Sequence, residues 1–195
     1  MLGRLPLIPR ATALLVALLC ALLVTTVAPA QAVPIEGYAS YDPQENCRPK
    51  AKPGTKMLAR WLVNKRGGAR GPISRVCSSG GVSEHKEGRA FDWVLDATKP
   101  RQREKAKKLL NLLFRTNGAG EPHAKARRMG IMYIIWNDHM YRSYREFEKD
   151  DYLSSSCRRK RTCSKSLRHR DHMHISLSRK GGRGKTSWYL ARSGD

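Results

Sequence analysis

Two short clusters hold the residues of this chain that could do chemistry. In the first, Ser83-Glu84-His85-Lys86-Glu87-Gly88-Arg89-Ala90-Phe91-Asp92, a histidine and an aspartate stand seven positions apart; in the second, Asp171-His172-Met173-His174, two histidines open the last apolar run. Imidazole nitrogen and carboxylate oxygen are zinc donors. His85, Asp92 and His174 would supply three of them, the number a catalytic zinc ion (Zn) takes while keeping a fourth position for water. His172 would then stand as a base beside that water.

The spacing sets what must position these groups. Lys86, Glu87 and Gly88 form a short polar turn whose glycine can take a positive φ, which lets the chain fold back and bring Asp92 toward His85. On a strand, residues two apart share a face, so His172 and His174 point the same way while Asp171 and Met173 point the other. That parity favours His172 as the base; a bend before His174 would give the role to Asp171 instead.

Ser83, His85, Gly88, Ala90, Asp92, His172 and His174 together fill a pattern, Ser-x-His-x-x-Gly-x-Ala-x-Asp followed by a distant His-x-His or Glu-x-x-His. The pattern resembles the zinc metallopeptidases that include D-alanyl-D-alanine carboxypeptidases and dipeptidases, peptidoglycan endopeptidases and the hedgehog signalling fold. The resemblance runs from about Met57 to Leu177. It implies zinc on His85, Asp92 and His174, a catalytic His172 or Asp171, and a substrate hydrogen bond from Ser83. It also implies hydrolysis of the peptide bonds in peptidoglycan stem peptides or cross-links. Carboxypeptidase, dipeptidase and endopeptidase differ in loops that close the cleft, which spacing does not reveal. An endopeptidase is slightly favoured, because no arginine that would clamp a terminal carboxylate can be placed from sequence.

The remaining pattern predicts an α+β fold, a small, mostly antiparallel sheet with flanking helices and the metal on one sheet face, as in the hedgehog/DD-peptidase arrangement. Residues 33–56, with Pro34, Pro43, Pro49 and Pro53, read as an extended lead-in to a domain over 57–195. Met57 to Val63 reads as a short helix, and Ile73 to Cys77 and Arg89 to Leu95 as strands. From Pro100 to Phe114 the residues Ala106, Leu109, Leu110 and Leu113 recur at helical spacing, with Asn117-Gly118 as the stop. A second short helix starts at Pro122 and ends near Met129 at Gly130. Ile131 to Trp136 reads as a buried strand, turned by Asn137-Asp138 into a partner near Met140 and Tyr141, and His172 to Leu177 as the last strand.

Arg4 and Arg10 ahead of the apolar run from Ala11 to Val27, then Ala30-Gln31-Ala32, read as a secretory signal peptide over residues 1–32. Nothing after it is long and apolar enough to span a membrane. The 163 residues that remain suit one domain, expected to be a monomer in the cell wall or outside the cell. Cys47, Cys77, Cys157 and Cys163 then form an even set in an exported chain, which predicts two disulfides. Of the three possible pairings, Cys47 with Cys77 and Cys157 with Cys163 is favoured, since the latter closes a short cationic loop.

The sequence carries 38 Lys plus Arg against 16 Asp plus Glu. Without the leader, whose only charges are Arg4 and Arg10, the balance is 36 to 16, a net +20. Such a field draws polyanions, and for an exported protein the expected partners are peptidoglycan and the anionic polymers of the wall. The charge is densest in Arg158-Arg159-Lys160-Arg161 and on through Lys165, Arg168 and Arg170. No motif for a specific nucleic acid is present. A metal-dependent nuclease would leave the peptidase pattern unexplained, and a wall-binding module with structural zinc would have no use for His172. His139 and His169 read as solvated loop histidines, His123 as a surface residue and Trp136 as core. Arg89, out of step with Ala90 and Asp92, is expected to point away from the metal.

Overall fold

The computed structural model describes residues 34–192, so the leader expected over 1–32 lies outside the described residues. The elements in order are α1 (Pro53–Arg66), β1 (Ala69–Arg70), a 3-10 turn (Glu84–Glu87), β2 (Ala90–Val94), α2 (Pro100–Phe114) and α3 (Ala124–Arg128). They continue with β3 (Ile131–Trp136), β4 (His139–Arg142), β5 (Lys149–Asp151), β6 (His172–Leu177), α4 (Arg179–Gly182) and α5 (Ser187–Leu190). No described helix is long and apolar enough to cross a membrane.

Both long helices open on a proline, whose missing N–H costs nothing in the first turn. α1 ends where Lys65 and Arg66 meet the negative end of the helix dipole and Gly67 takes φ 66°. Its stripe Leu58, Ala59 and Leu62 and the α2 stripe Ala106, Leu109 and Leu113 are buried in one core. The α2, β3 and β6 limits coincide with the expected ones.

One antiparallel sheet of order β1-β2-β6-β3-β4-β5 forms the other layer. The C-terminal β6 inserts between β2 and β3, so Asp92 lies opposite His174, and His174 opposite Ile135. Residues opposite one another share a face. Phe91, Trp93, Met173, Ile175 and Ile134 therefore meet the helices, and the residues that alternate with them along the strands, Asp92, His174, Ser176, Tyr133 and Ile135, occupy the reverse face. This α+β sheet thus gathers chemistry on the side its helices leave uncovered.

Ile73 to Cys77 is not a strand. Arg75 N–H bonds to the His85 carbonyl at 3.2 Å, the Ser74 hydroxyl bonds to the Pro49 carbonyl, and Cys77 is bonded to Cys47, so this segment is tied to loops and not to a ladder. The edge position goes to the two residues of β1, opposite Val94 and Trp93. The disulfides are Cys47–Cys77 and Cys157–Cys163, with Cα separations of 5.8 and 5.7 Å, the favoured pairing. Residues 34–52 are irregular but docked: Tyr38 packs against Phe147, Ala39 N–H bonds to Ser143 Oγ at 2.8 Å, and Asp42 pairs with Arg179 at 2.9 Å.

Candidate metal centre

His85 sits on the 3-10 turn, whose end is fixed by Gly88 at φ 66°, ψ 22°. A Cβ there would lie 2.1 Å from the Lys50 carbonyl oxygen, so only glycine fits the return that sends the chain into β2. Asp92 follows from β2 and His174 from its neighbour β6. Their donor atoms form a nearly equilateral triangle: His85 Nε2 to Asp92 Oδ1 3.2 Å, His85 Nε2 to His174 Nδ1 3.2 Å, and His174 Nδ1 to Asp92 Oδ1 3.1 Å. All three residues are buried, and they form a group that could hold a metal ion.

The outer hydrogen bonds show where the protons are. His85 Nδ1 faces the Ile73 carbonyl at 3.1 Å, which can only accept, so Nδ1 carries the proton and Nε2 a lone pair. Ser176 Oγ donates to Glu84 Oε2 at 3.2 Å and therefore accepts from His174 Nε2 at 2.8 Å. His174 Nδ1 is then bare as well. Burial pushes the His174 imidazole below its ordinary range, which keeps it neutral, as a metal ligand must be. Burial also opposes charge on Asp92, yet His174 and then His85 beside it hold its carboxyl far below the usual carboxylate range. With both protons drawn outward, two lone pairs and a carboxylate oxygen converge, and a cation is what satisfies them. The triangle edges approach the roughly 3.3 Å between donors in a tetrahedral site with bonds of ~2.0 to 2.1 Å. The described cysteines are all in disulfides, so the donors are nitrogen and oxygen alone.

The supporting shell was only partly visible in sequence. Glu84 accepts from Tyr133 Oη as well as from Ser176, and the Tyr133 ring stacks on His174 with centroids 5.6 Å apart. Ser176 lies two residues beyond His174 on one strand face, so the parity that paired His172 with His174 also points to it. Glu84, beside His85 on the 3-10 turn, and Tyr133, on β3, have no such signal, because the turn and β3 meet β6 only through the fold.

His172 is about one-fifth exposed in its side chain, and its Nε2 lies 3.8 Å from Asp92 Oδ1. Its Nδ1 is held by Asp171 Oδ1 at 2.7 Å, and Asp171 in turn accepts from the Ser166 hydroxyl. Asp171 and His172 are thus arranged in series: His172 faces the metal-ligand group, and Asp171 orients it from behind.

Several expectations change here. Ser83 is an extended residue at the start of the 3-10 turn; it is buried, and its N–H bonds to Gln44 Oε1 at 2.8 Å. His169 is not solvated. Its ring lies 4.8 Å from that of His172 and 5.8 Å from that of His174, with Tyr152 edge-on, and burial pushes its pKa down to about 3, so it is a neutral wall of the site. His123 is packed among Tyr38, Phe114 and Phe147 and bonds to Tyr38 Oη at 2.8 Å. His139 stays half-exposed beside Asp151, and Trp136 is core. Arg89 is buried, donating to Glu87 Oε2 at 2.6 Å and to the Leu177 carbonyl at 2.8 Å, with its guanidinium 3.9 Å from Glu84.

Residues 47–158, more than half of the chain, match the family described as VldE, C-terminal domain, and the chain belongs to that family. No curated protein and no solved structure matches it. The matched span carries His85 and Asp92, while His172 and His174 lie beyond its end.

Proposed function

We propose that the protein is an exported zinc peptidase of the hedgehog/DD-peptidase type that hydrolyses peptide bonds in peptidoglycan stem peptides or cross-links. The observation that carries this reading is the three-donor triangle of His85, Asp92 and His174 with an oriented, partly exposed histidine beside it. A structural metal would have no need of that histidine. Two disulfides fit an extracellular setting.

His85 Nε2, Asp92 Oδ1 and His174 Nδ1 would hold the ion. Zinc supplies Lewis acidity at the scissile carbonyl and brings the pKa of water from about 15.7 toward ~7. His172 Nε2 carries the lone pair that accepts the proton of the attacking water and then delivers it to the leaving amine nitrogen. Asp171 Oδ1 keeps the Nδ1 proton in place and steadies the imidazolium between those two transfers. Glu84, through Ser176, and the Ile73 carbonyl fix the ring orientation of the two ligand histidines. Neutral His169 covers one side of His172 and limits water there.

The test is zinc analysis of the purified protein with parallel digestions of peptidoglycan and plasmid DNA. Loss of muropeptide peptide bonds with glycan strands and DNA intact is expected. Conversion of cross-linked dimers to monomers would mark an endopeptidase, and release of terminal D-alanine alone a carboxypeptidase. Zinc without any peptide-bond product would leave a wall-binding module, and nicked DNA a nuclease.

A further inference from the structure

A second concave surface lies on the helical side of the sheet. The loop after α2, the short α3 and the C-terminal α5 enclose an open cleft of about 510 Å³. Its lining brings together Arg115, Lys125, Arg128 and Arg192 with Trp188, and among the described residues no carboxylate is part of it. Cations this close repel one another, and proteins ordinarily intersperse acids among them. Here Arg115, Lys125 and Arg192 have no ion-pair partner among the described residues. Lys125 Nζ rests 5.8 Å over the Trp61 ring and the Arg192 guanidinium 4.4 Å over Trp188, which replace only part of a counter-charge. Burial, and then Arg115, Arg192 and Arg66, push the Lys125 ammonium below its ordinary range.

A second observation points the same way. Trp188 is 4% exposed, and its indole Nε1–H is buried with no hydrogen-bond partner among the described residues. A buried donor without an acceptor is costly, and here it belongs to a residue that lines the cleft. The neighbouring Arg66 has its Nε in the same condition. The missing component is therefore an anion with several acceptor oxygens, and guanidinium groups match phosphate in charge and geometry. The cleft is much larger than one phosphate, so it has room for the units on either side of a diester. Among the described residues no aromatic face in this cleft is open for stacking bases, since Trp188 is buried and Lys125 lies over Trp61, which argues against single-stranded nucleic acid.

We propose that this cleft binds a phosphodiester of a base-free polyol-phosphate polymer, seated on Arg115, Lys125 and Arg192 with the Trp188 indole N–H as a neutral donor. The contrast with the Arg158 to Arg170 segment is informative. There Lys160, Lys165 and Arg168 already pair with Asp151, Asp96 and Asp138.

The experiment measures binding of the full chain to a synthetic glycerol-phosphate decamer, to a DNA oligonucleotide of equal charge, and to inorganic phosphate. The triple variant Arg115→Ala, Lys125→Ala, Arg192→Ala should bind the decamer at least tenfold more weakly. A charge-matched control, Arg158→Ala, Arg159→Ala, Arg161→Ala, should stay within threefold. Trp188→Phe keeps a ring in the core and removes the donor, and it should weaken binding about threefold or more with little change in melting temperature. Inorganic phosphate should compete only at much higher concentration, as one group filling part of the cleft. Equal losses in the two triple variants, or none in the first, would overturn the proposal and leave only the field of the whole molecule. Tighter binding of DNA that the first triple abolishes would overturn the polymer class. None of these readings depends on turnover, so the peptidase reading can fail or stand separately.

Discussion

His172 and Asp171 show how far residue types alone can carry an assignment. Strand parity in sequence set one against the other as base, and the structure places them in series, with Asp171 Oδ1 on His172 Nδ1 and Nε2 facing the metal ligands. His172→Ala should therefore keep zinc and lose turnover by roughly 10²-fold or more, as expected for a general base. Asp171→Asn should lose less, because the imidazole remains but its tautomer is no longer held. Elemental analysis beside a rate measurement separates binding from chemistry, and the reverse order of damage would hand the base role to Asp171. His174→Ala and Asp92→Ala should each abolish the roughly one zinc per chain, since two donors are not enough to hold it; full occupancy in either variant would remove that residue from the ligand set. The three residues that could hold a metal ion were legible because their motif is local in sequence at each end. His169 was not: it stands only three residues before His172, but its burial depends on Tyr152 and on a backbone turned at φ 50°, neither of which the sequence displays.

At the scale of elements, the apolar patterns mark α2 and β3, but they reach α1 only over Met57 to Val63, because its opening Pro53 counts with the extended lead-in, and Ile73 to Cys77 imitates a strand that the fold does not build. Five residues that include Ile73, Val76 and Cys77 cannot distinguish a ladder from a loop held by a disulfide. The 3-10 turn was visible only as a turn, and its dependence on Gly88 is a matter of space. Gly88→Ala should cost about 3 kcal/mol or more, beyond the usual effect of glycine replacement, because the added carbon meets the Lys50 carbonyl and the turn must open. Denaturant unfolding gives the size of the loss, and zinc content should fall with it. The β3–β4 hairpin gives a pH test. Arg168 grips Asp138 with two bonds of 2.8 Å and, against the opposing effect of burial, holds its carboxyl below the ordinary range. The folded carboxyl thus binds its proton less readily than the unfolded one, whose pKa is about 3.9. The contribution of the pair is complete above that value and disappears as pH falls through the lower, folded one. Asp138→Asn, which tolerates the turn's φ of 66°, should lower stability by about 1 kcal/mol at pH 7 and by little near pH 2. An equal loss at both pH values would show that the effect is steric.

For the whole molecule, composition announced a strong positive field, but the sequence could not say where that field goes uncompensated. The most basic run, Arg158 to Arg161, is closed by a disulfide, and part of the charge around it is paired. Arg115, Lys125 and Arg192 come from separate segments and meet only once α2, α3 and α5 are packed. The four described cysteines should be inert to alkylation in the absence of reductant, and modification of two or more in a mass spectrum would contradict both disulfides. The field itself has a consequence that separates attraction to the wall from catalysis. Exposed charges are screened over ~10 Å at roughly 0.1 M salt, so binding to whole sacculi should weaken steeply as salt rises. On the proposed peptidase reading, cleavage of a small soluble muropeptide would depend on buried ligands and on a histidine held by a neighbouring carboxylate, groups that salt screens far less. Its rate should change by less than about threefold over the same range. Sedimentation of sacculi and a chromatographic rate assay, run in the same buffers, measure the two quantities side by side. If muropeptide cleavage falls as steeply as binding, the basic surface takes part in holding even the small substrate, and the separation between docking and chemistry is wrong.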